Sequence, residues 1–257
     1  MSALKLGLLV SSTPQAEEAG REVRELAQFV DPREADVLVA IGGDGFMLSM
    51  QHSLMRKRRQ KPVFGMNRGT VGFLMNDYRP DGLAERVAKA KSFMLSPLIM
   101  EATRANGNVV VSPAINEVSL LRETRQAARI EISIDGKVRL AELAGDGVLV
   151  ATPAGSTAYN LSARGPILPL DCDLLALTAL SPFRPRRWHG ALVNNRSVIE
   201  FRMLEADRRP VSAVADQVEV RDVHHVKVRT DNSHRFELLF DPDYALDERM
   251  VMEQFLG

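Results

Sequence analysis

The chain has 257 residues, of which 45% are apolar and 26% are charged, proportions typical of a globular protein. Basic and acidic residues both number 33, so the formal net charge is zero, which excludes a chain-wide basic surface for nucleic acid. Its one cysteine, Cys172, excludes an internal disulfide, and no apolar run approaches the roughly 18 residues of a membrane-spanning helix, so we expect a cytoplasmic protein that binds neither membranes nor nucleic acid.

The first hundred residues alternate strand and helix signals. Short aliphatic runs at Leu6–Val10, Val37–Ile41 and Val63–Met66 predict buried parallel strands, and the first run lacks the cleavage site of a secretory signal. Thr13-Pro14 predicts the start of a helix, because Thr is a good N-cap and Pro suits the first helical position. Strands separated by helices predict an α/β domain with a Rossmann-like parallel sheet over residues 1–97.

Beyond residue 97 the pattern becomes mostly β. Arg129–Ile134 alternates apolar and polar residues, and Asp135-Gly136 follows as a hairpin turn. Later runs such as Val198–Met203 and Phe236–Phe240 are also typical of strands. We therefore predict a second, β-rich domain over residues 98–240.

The common fingerprints of nucleotide, zinc-protease and hydrolase sites are absent from the sequence. What remains is Gly42-Gly43-Asp44-Gly45, between a predicted strand and a predicted helix. Glycines there let the backbone approach an anion at the helix N-terminus, which predicts a phosphate site. A carboxylate in such a site makes sense if Mg²⁺ bridges it to phosphate, or if it accepts a hydroxyl proton. A simple tight turn with Asp44 as N-cap stays open as an alternative.

Two further motifs contain polar residues next to apolar runs. Asn67–Leu74 follows a strand, at the edge where open α/β sheets bind ligands, although a structural glycine-rich loop explains it equally well. Asn116-Glu117 lies between Ile115 and Val118. Asn is both donor and acceptor, and Glu accepts hydrogen bonds from hydroxyls, so the pair suits a hydroxyl-rich ligand. The alternative is the solvent face of a strand.

The longest motif is Gly145–Ser162. Pro153-Ala154-Gly155 interrupts a strand, and Ser156 or Thr157 is then predicted to cap a helix. Small residues, free N–H groups, hydroxyls and one aromatic ring suit an adenosine pocket. A tight turn built only for packing is the alternative.

Together the four segments resemble the bacterial ATP-dependent NAD kinase family. Its signature pieces occur here in order: G-G-D-G, N-x-G-x-x-G-F-L, N-E, and G-D-G followed by A-T-P-x-G-S-T-A-Y. G-G-D-G alone is also similar to lipid kinases and phosphofructokinases, so the last two pieces are the discriminating ones. The resemblance implies a sandwich-like β domain after the α/β domain, a C-terminal segment 241–257 that returns to the first domain, and a homodimer or homotetramer.

The resemblance also implies roles for individual residues. Asp44, with Gly45 beside it, is the catalytic proton acceptor for the adenosine 2′-hydroxyl of NAD. Asn116 and Glu117 hold hydroxyls and the base of NAD, and Asp146 contacts the nicotinamide half. ATP is the phosphoryl donor, with Mg²⁺ or another divalent cation, and no protein side chain is assigned to the metal. The remaining pocket residues are Ala154, Thr157, Ala158, Tyr159, Asn160, Leu161 and Ser162, with weaker support for Gln217.

Two other functions compete with this one. The first is a lipid or sugar kinase that shares only the G-G-D-G core, which Asn116-Glu117 and the Thr152–Tyr159 run disfavour. The second is a non-catalytic NADP(H)-binding regulator, which Asp44 disfavours because binding alone does not require it. One departure from the family is Phe46, where many members have Thr.

Overall fold

The structure is a computed structural model, and it describes residues 4–57, 59–70 and 72–242. The chain divides into two compact units, one formed by Met1–Leu95 with Arg235–Gly257 and the other by Ser96–His234. Within the described residues, no helix has the length and apolar character needed to cross a membrane.

The first unit begins as alternating strands and helices. They are β1 (Leu6–Val10), α1 (Pro14–Leu26), β2 (Val37–Gly42), α2 (Asp44–Arg56), β3 (Val63–Asn67), α3 (Leu83–Lys89) and β4 (Lys91–Leu95). β1, β2 and β3 pair in parallel. Thr13 caps α1 as predicted, because its hydroxyl accepts a hydrogen bond from the Ala16 amide. Apolar side chains of α1 and α3, such as Val23 and Val87, form one core with the sheet.

The second unit is almost entirely antiparallel β. Its elements are β5 (Leu98–Arg104), β6 (Val109–Ala114), β7 (Glu117–Arg122), β8 (Ala128–Ile134), β9 (Lys137–Gly145), β10 (Gly147–Ala151), a 3₁₀ turn (Ala154–Thr157), α4 (Tyr159–Ser162), β11 (Leu174–Leu180), β12 (Gly190–Asn194), β13 (Ile199–Met203), β14 (Val211–Ala215), β15 (Val218–Val220) and β16 (Val223–Thr230). They form two six-stranded sheets, with strand orders β12-β11-β10-β7-β14-β15 and β6-β5-β16-β13-β8-β9.

The two sheets of the second unit share one apolar core, as in a sandwich. Val118 and Val150 enter it from the first sheet, and Ile132 and Phe201 enter it from the second. The predicted hairpin at Asp135-Gly136 is present, and both residues have the positive φ that its turn type requires. The prediction of an α/β part followed by a sandwich-like β part is confirmed.

The chain returns to the first unit through β17 (Phe236–Phe240). This strand lies between β3 and β4, parallel to β3 and antiparallel to β4. Assigning these residues to the second domain was therefore wrong, because both hydrogen-bonded partners of the strand belong to the first sheet. The sheet is mixed rather than wholly parallel, since β4 runs against its neighbour. The rest of the predicted C-terminal segment, 243–257, lies outside the described residues.

Candidate functional site

Asp44 begins α2, and its carboxylate links the first two motifs. Its Oδ2 accepts a hydrogen bond from the Phe73 amide at 2.9 Å, and its Oδ1 accepts one from the Leu74 amide at 3.1 Å. The N-cap of α2 is Gly43, so the alternative in which Asp44 serves only as N-cap is not what the structure has. The carboxylate is instead oriented by the loop Asn67–Leu74, beside the positive end of a 13-residue helix.

Glycines bring the two loops of the first unit together. A Cβ atom on Gly69 would lie 3.1 Å from the Cα atom of Gly43, and the Arg68 amide donates to the Gly42 carbonyl at 2.6 Å. A Cβ atom on Gly45, by contrast, would meet nothing within 4 Å. A side chain at position 69 would therefore press on the loop of Gly43, whereas position 45 borders open space.

In the second unit, the backbone before β7 is held by an aspartate that the sequence analysis did not identify. The carboxylate of Asp216, in the turn between β14 and β15, accepts from the amides of Ile115 at 2.7 Å, Asn116 at 3.0 Å and Glu117 at 3.4 Å. Asp216 has a φ of 48°, a left-handed conformation that aspartate tolerates better than most residues. An aspartate in a turn is common, so the sequence contains no signal for this role.

The same backbone is held from its carbonyl side by the long motif. The hydroxyl of Thr152 donates to the Ile115 carbonyl at 2.7 Å and accepts from the Gly155 amide at 3.0 Å. The Thr152 amide donates to the Asn116 carbonyl at 2.9 Å. The third and fourth motifs therefore meet, and together they fix the segment that presents the side chains of Asn116 and Glu117.

Glu117 has a carboxyl oxygen without a hydrogen-bond partner in the part of the chain that the structure describes. Its Oε2 is buried and has no hydrogen-bond partner among the described residues. Burial first, and the nearby charge of Asp216 second, raise the pKa of Glu117 to about 7. A buried acceptor of this kind indicates a ligand that brings hydrogen-bond donors.

A cavity of about 850 Å³ lies beside α4 in the second unit. Three predicted site residues, Asp146, Tyr159 and Ser162, line it, and so do Arg164 and His189, which sequence reasoning missed. Burial, followed by the charges of Glu117 and Asp146, raises the pKa of Tyr159. The phenol therefore shares one electrostatic environment with both carboxylates.

Asp146 is not an isolated acid. Its Oδ1 forms an ion pair with Nε of Arg122 at 2.6 Å, and each side chain is one-third exposed. The pair borders the cavity through Asp146. Arg122 is a further residue that sequence reasoning missed, because its partner is 24 residues away.

Several predicted site residues do not line this cavity. Asn160 is fully buried, and its amide group bonds the Ser156 and Pro166 carbonyls and the Thr178 hydroxyl. Its side chain has no surface for a ligand, so its predicted place in the pocket lining is corrected. Ala154 is also buried, with 6% of its surface exposed. Thr157, Ala158 and Leu161 are half-buried, Gln217 is exposed, and none of the four lines the cavity.

The predicted helix cap at Ser156 or Thr157 was also wrong. The segment is a 3₁₀ turn followed by the four-residue α4, and neither has a side-chain cap. The Ser156 hydroxyl is buried and donates to the Pro153 carbonyl at 2.7 Å, while it accepts from the Leu168 amide at 2.9 Å. It therefore ties the turn to the following loop instead of capping a helix.

Both units match models of known families. Residues 3–90 match the ATP-NAD kinase N-terminal domain, and residues 115–239 match the ATP-NAD kinase C-terminal domain. The chain belongs to the ATP-NAD kinase family. The resemblance found in the sequence motifs is thereby confirmed.

Relatives in this NAD kinase family are similar over the full chain. The NAD kinase of Zymomonas mobilis is 54% identical over 98% of this chain and 97% of its own length. The NAD kinase of Rhizorhabdus wittichii is 55% identical over 99% of both chains. The NAD kinase of Rhizobium meliloti is 50% identical over 97% of this chain and 96% of its own.

Solved structures of an NADH kinase and an NAD kinase share the fold at much lower identity. The yeast NADH kinase complexed with NADH superposes with a TM-score of 0.80 at 20% identity, covering 99% of this chain and 88% of that chain. The NAD kinase from Archaeoglobus fulgidus in complex with ATP gives 0.73 at 21% identity, covering 99% and 100%.

Proposed function

We propose that the chain is an ATP-dependent NAD kinase, which transfers the γ-phosphoryl group of ATP to the adenosine 2′-hydroxyl of NAD and makes NADP. Membership of the family over both units supports the activity. The observation that carries the mechanism is the Asp44 carboxylate, fixed by two amides at the start of α2.

Asp44 acts as the general base. As the O–P bond forms between the 2′-oxygen and the γ-phosphorus, the bond from that phosphorus to ADP breaks, and the hydroxyl proton moves to the Asp44 carboxylate. Phosphoryl transfer depends chiefly on positioning and charge stabilisation, so a base that accepts the proton late in the reaction is sufficient. The amides at the N-terminus of α2 favour the negative charge of the phosphates.

The second unit binds NAD. Asn116 and the unpartnered oxygen of Glu117 hold hydroxyls of the nucleotide, which gives that buried oxygen its missing partner. Tyr159 stacks against a ring of the ligand, and Asp146, paired with Arg122, borders the nicotinamide half. A cavity of about 850 Å³ is within the range of nucleotide-sized ligand sites.

The donor is ATP with a divalent cation such as Mg²⁺. Among the described residues there is no cluster of three side chains that could hold a metal ion. Mg²⁺ usually keeps several waters and is held largely by substrate phosphates, so we treat it as part of the donor. We further propose that the protein forms a homodimer or homotetramer. We also propose a cytoplasmic location, with which a single cysteine is in keeping.

The test is incubation of the purified chain with NAD, ATP and Mg²⁺, with NADP measured by an NADP-specific dehydrogenase. Parallel reactions with labelled ATP offer diacylglycerol or fructose 6-phosphate in place of NAD. We expect NADP and no labelled lipid or sugar. Transfer to the lipid or sugar alone would support the competing kinase, and NADP binding without turnover would support the regulator.

A further inference from the structure

The backbone of the segment Ile115–Glu117 is held by hydrogen bonds to its amides and to its carbonyls. The Asp216 carboxylate accepts hydrogen bonds from three amides of the segment. The Thr152 hydroxyl donates to the carbonyls of Ile115 and Asn116. The main chain of this segment is thereby fixed, while the Asn116 side chain makes no hydrogen bond to the described residues. The directions of the Asn116 and Glu117 side chains therefore depend on the hydrogen bonds that hold this backbone.

We propose that Asp216 is a positioning residue, which acts on NAD through Asn116 and Glu117 rather than by touching the ligand. The inference rests on the proposed function, in which these two side chains hold the nucleotide. It adds a residue that lies 99 positions away from Glu117 in sequence and belongs to another strand pair.

The geometry of the turn brings the Asp216 carboxylate to the segment. Asp216-Gln217 is the two-residue loop of the β14–β15 hairpin, and the positive φ of Asp216 is of the kind that such loops require. From this turn between β14 and β15, the carboxylate contacts the backbone at the start of β7, the strand that pairs with β14. Its own amide donates to the Glu117 carbonyl at 3.3 Å, so the contact runs in both directions.

Asp216 also brings a negative charge to Glu117. Burial is the first reason that the pKa of Glu117 is raised to about 7, and Asp216 is the second. The other ionisable groups in the same environment are Tyr159 and Asp146, the latter paired with Arg122. If ionised Glu117 accepts hydrogen bonds from NAD, affinity for NAD falls as the pH drops through this pKa.

Two variants separate positioning from charge. Asp216→Asn keeps one acceptor oxygen and tolerates the left-handed conformation, but it removes the charge. Thr152→Val loosens the same segment from the other side and changes no charge. The matched control is Asp135→Asn, another aspartate with positive φ whose carboxylate accepts a backbone amide, from Val198.

The experiment measures NAD binding by calorimetry in a pH series around neutrality, beside a melting curve. Asp216→Asn and Thr152→Val are both expected to weaken NAD binding about 5- to 10-fold, the equivalent of one lost hydrogen bond. Only Asp216→Asn is expected to move the pH midpoint of binding downward, because a carboxyl with one fewer negative neighbour ionises at lower pH. Asp135→Asn is expected to change neither affinity nor midpoint.

Unchanged NAD affinity in Asp216→Asn, with only a lower melting temperature, would overturn the proposal and leave Asp216 as a structural residue. If that variant does not fold, Thr152→Val alone decides: unchanged NAD affinity in a folded protein overturns the positioning of Asn116 and Glu117. Failure of the wild-type chain to form NADP would instead reject the proposed function, so the two failures are distinguishable.

Discussion

A Cβ atom on residue 155 would lie 2.1 Å from the carbonyl oxygen of Asn116. No side chain fits there, so Gly155 packs directly against the backbone that presents Asn116 and Glu117. The motif that contains this glycine therefore shapes the candidate site through the close approach of two backbones.

Gly155→Ala is expected to lower the free energy of unfolding by about 1–3 kcal/mol, as overpacking does in other cores. Because the added methyl group pushes on the Asn116 carbonyl, NAD affinity is expected to fall as well. A thermal melt and an NAD titration of the variant check both effects. A stable variant with normal affinity would show that the turn moves away without disturbing Asn116.

Gly45→Ala is expected to separate stability from catalysis. Its Cβ atom meets no protein atom within 4 Å, and alanine favours a helix over glycine by about 1 kcal/mol, so the melting temperature should stay level or rise. We expect kcat/KM to fall, because the methyl group occupies space that the proposed substrates approach. Steady-state kinetics with unchanged kcat/KM would mean that no substrate comes close to this residue.

Gly69→Ala is the matched comparison, and its melting temperature should change in the opposite direction. Its Cβ atom would lie 3.1 Å from the Cα atom of Gly43, a tight contact that the two loops of the first unit relieve only by shifting apart slightly. We expect a lower melting temperature here, and a loss of activity that follows from it. Equal stability of the two alanine variants would contradict the packing argument.

Asp44→Asn tests the proposed general base. Loss of a proton acceptor is expected to lower kcat by about 10²–10⁴-fold. Asn also offers one acceptor oxygen to two amides, so a loss of about 1–3 kcal/mol of stability should accompany it. The measurements are steady-state kinetics, NAD titration and a melting curve.

A matched control for this variant is Asp36→Asn, because Asp36 accepts a single backbone amide, from Lys5, in the same unit. It should keep its kcat. If Asp44→Asn retained a near-normal kcat in a folded protein, the carboxylate would serve only to hold the loop of Phe73 and Leu74.

Glu117→Gln is expected to change how stability depends on pH. The folded-state pKa of Glu117 is raised from 4.5 to about 7, so the folded chain favours the protonated form. This contribution amounts to about 3 kcal/mol below about pH 4.5, where it is fully present, and it is lost as the pH rises through about 7. Denaturant melts of both proteins across this range check the prediction: the difference between them should change with pH, and parallel curves would contradict it.

Much of the first unit follows from local sequence. The aliphatic runs predict β1, β2 and β3, and Thr13-Pro14 predicts the start of α1, because caps and buried strands depend on neighbouring residues. The place of β17 could not be predicted in this way. Its run of residues indicates a strand, but its partners β3 and β4 lie more than 140 residues earlier, and no local pattern specifies them.

In the candidate site, too, some residues can be predicted from local sequence and others cannot. Asp44 and Glu117 stand out in the sequence because a charged residue interrupts glycines or apolar residues. Asp216, Thr152 and Arg122 do not stand out, since each acts on a site residue that is distant in sequence. Asn160 is the opposite case. It lies inside a recognisable motif, yet its side-chain amide forms its hydrogen bonds within the protein.

The position of β17 has a consequence for the order in which the chain is made. Domains generally fold as they leave the ribosome, N-terminal part first. Here the first sheet has a gap between β3 and β4 until residue 240 has been synthesised, and the buried amide of Asn76 bonds the Leu239 carbonyl from that late strand. The first unit, although it begins the chain, is therefore completed last, after the whole intervening sandwich has emerged.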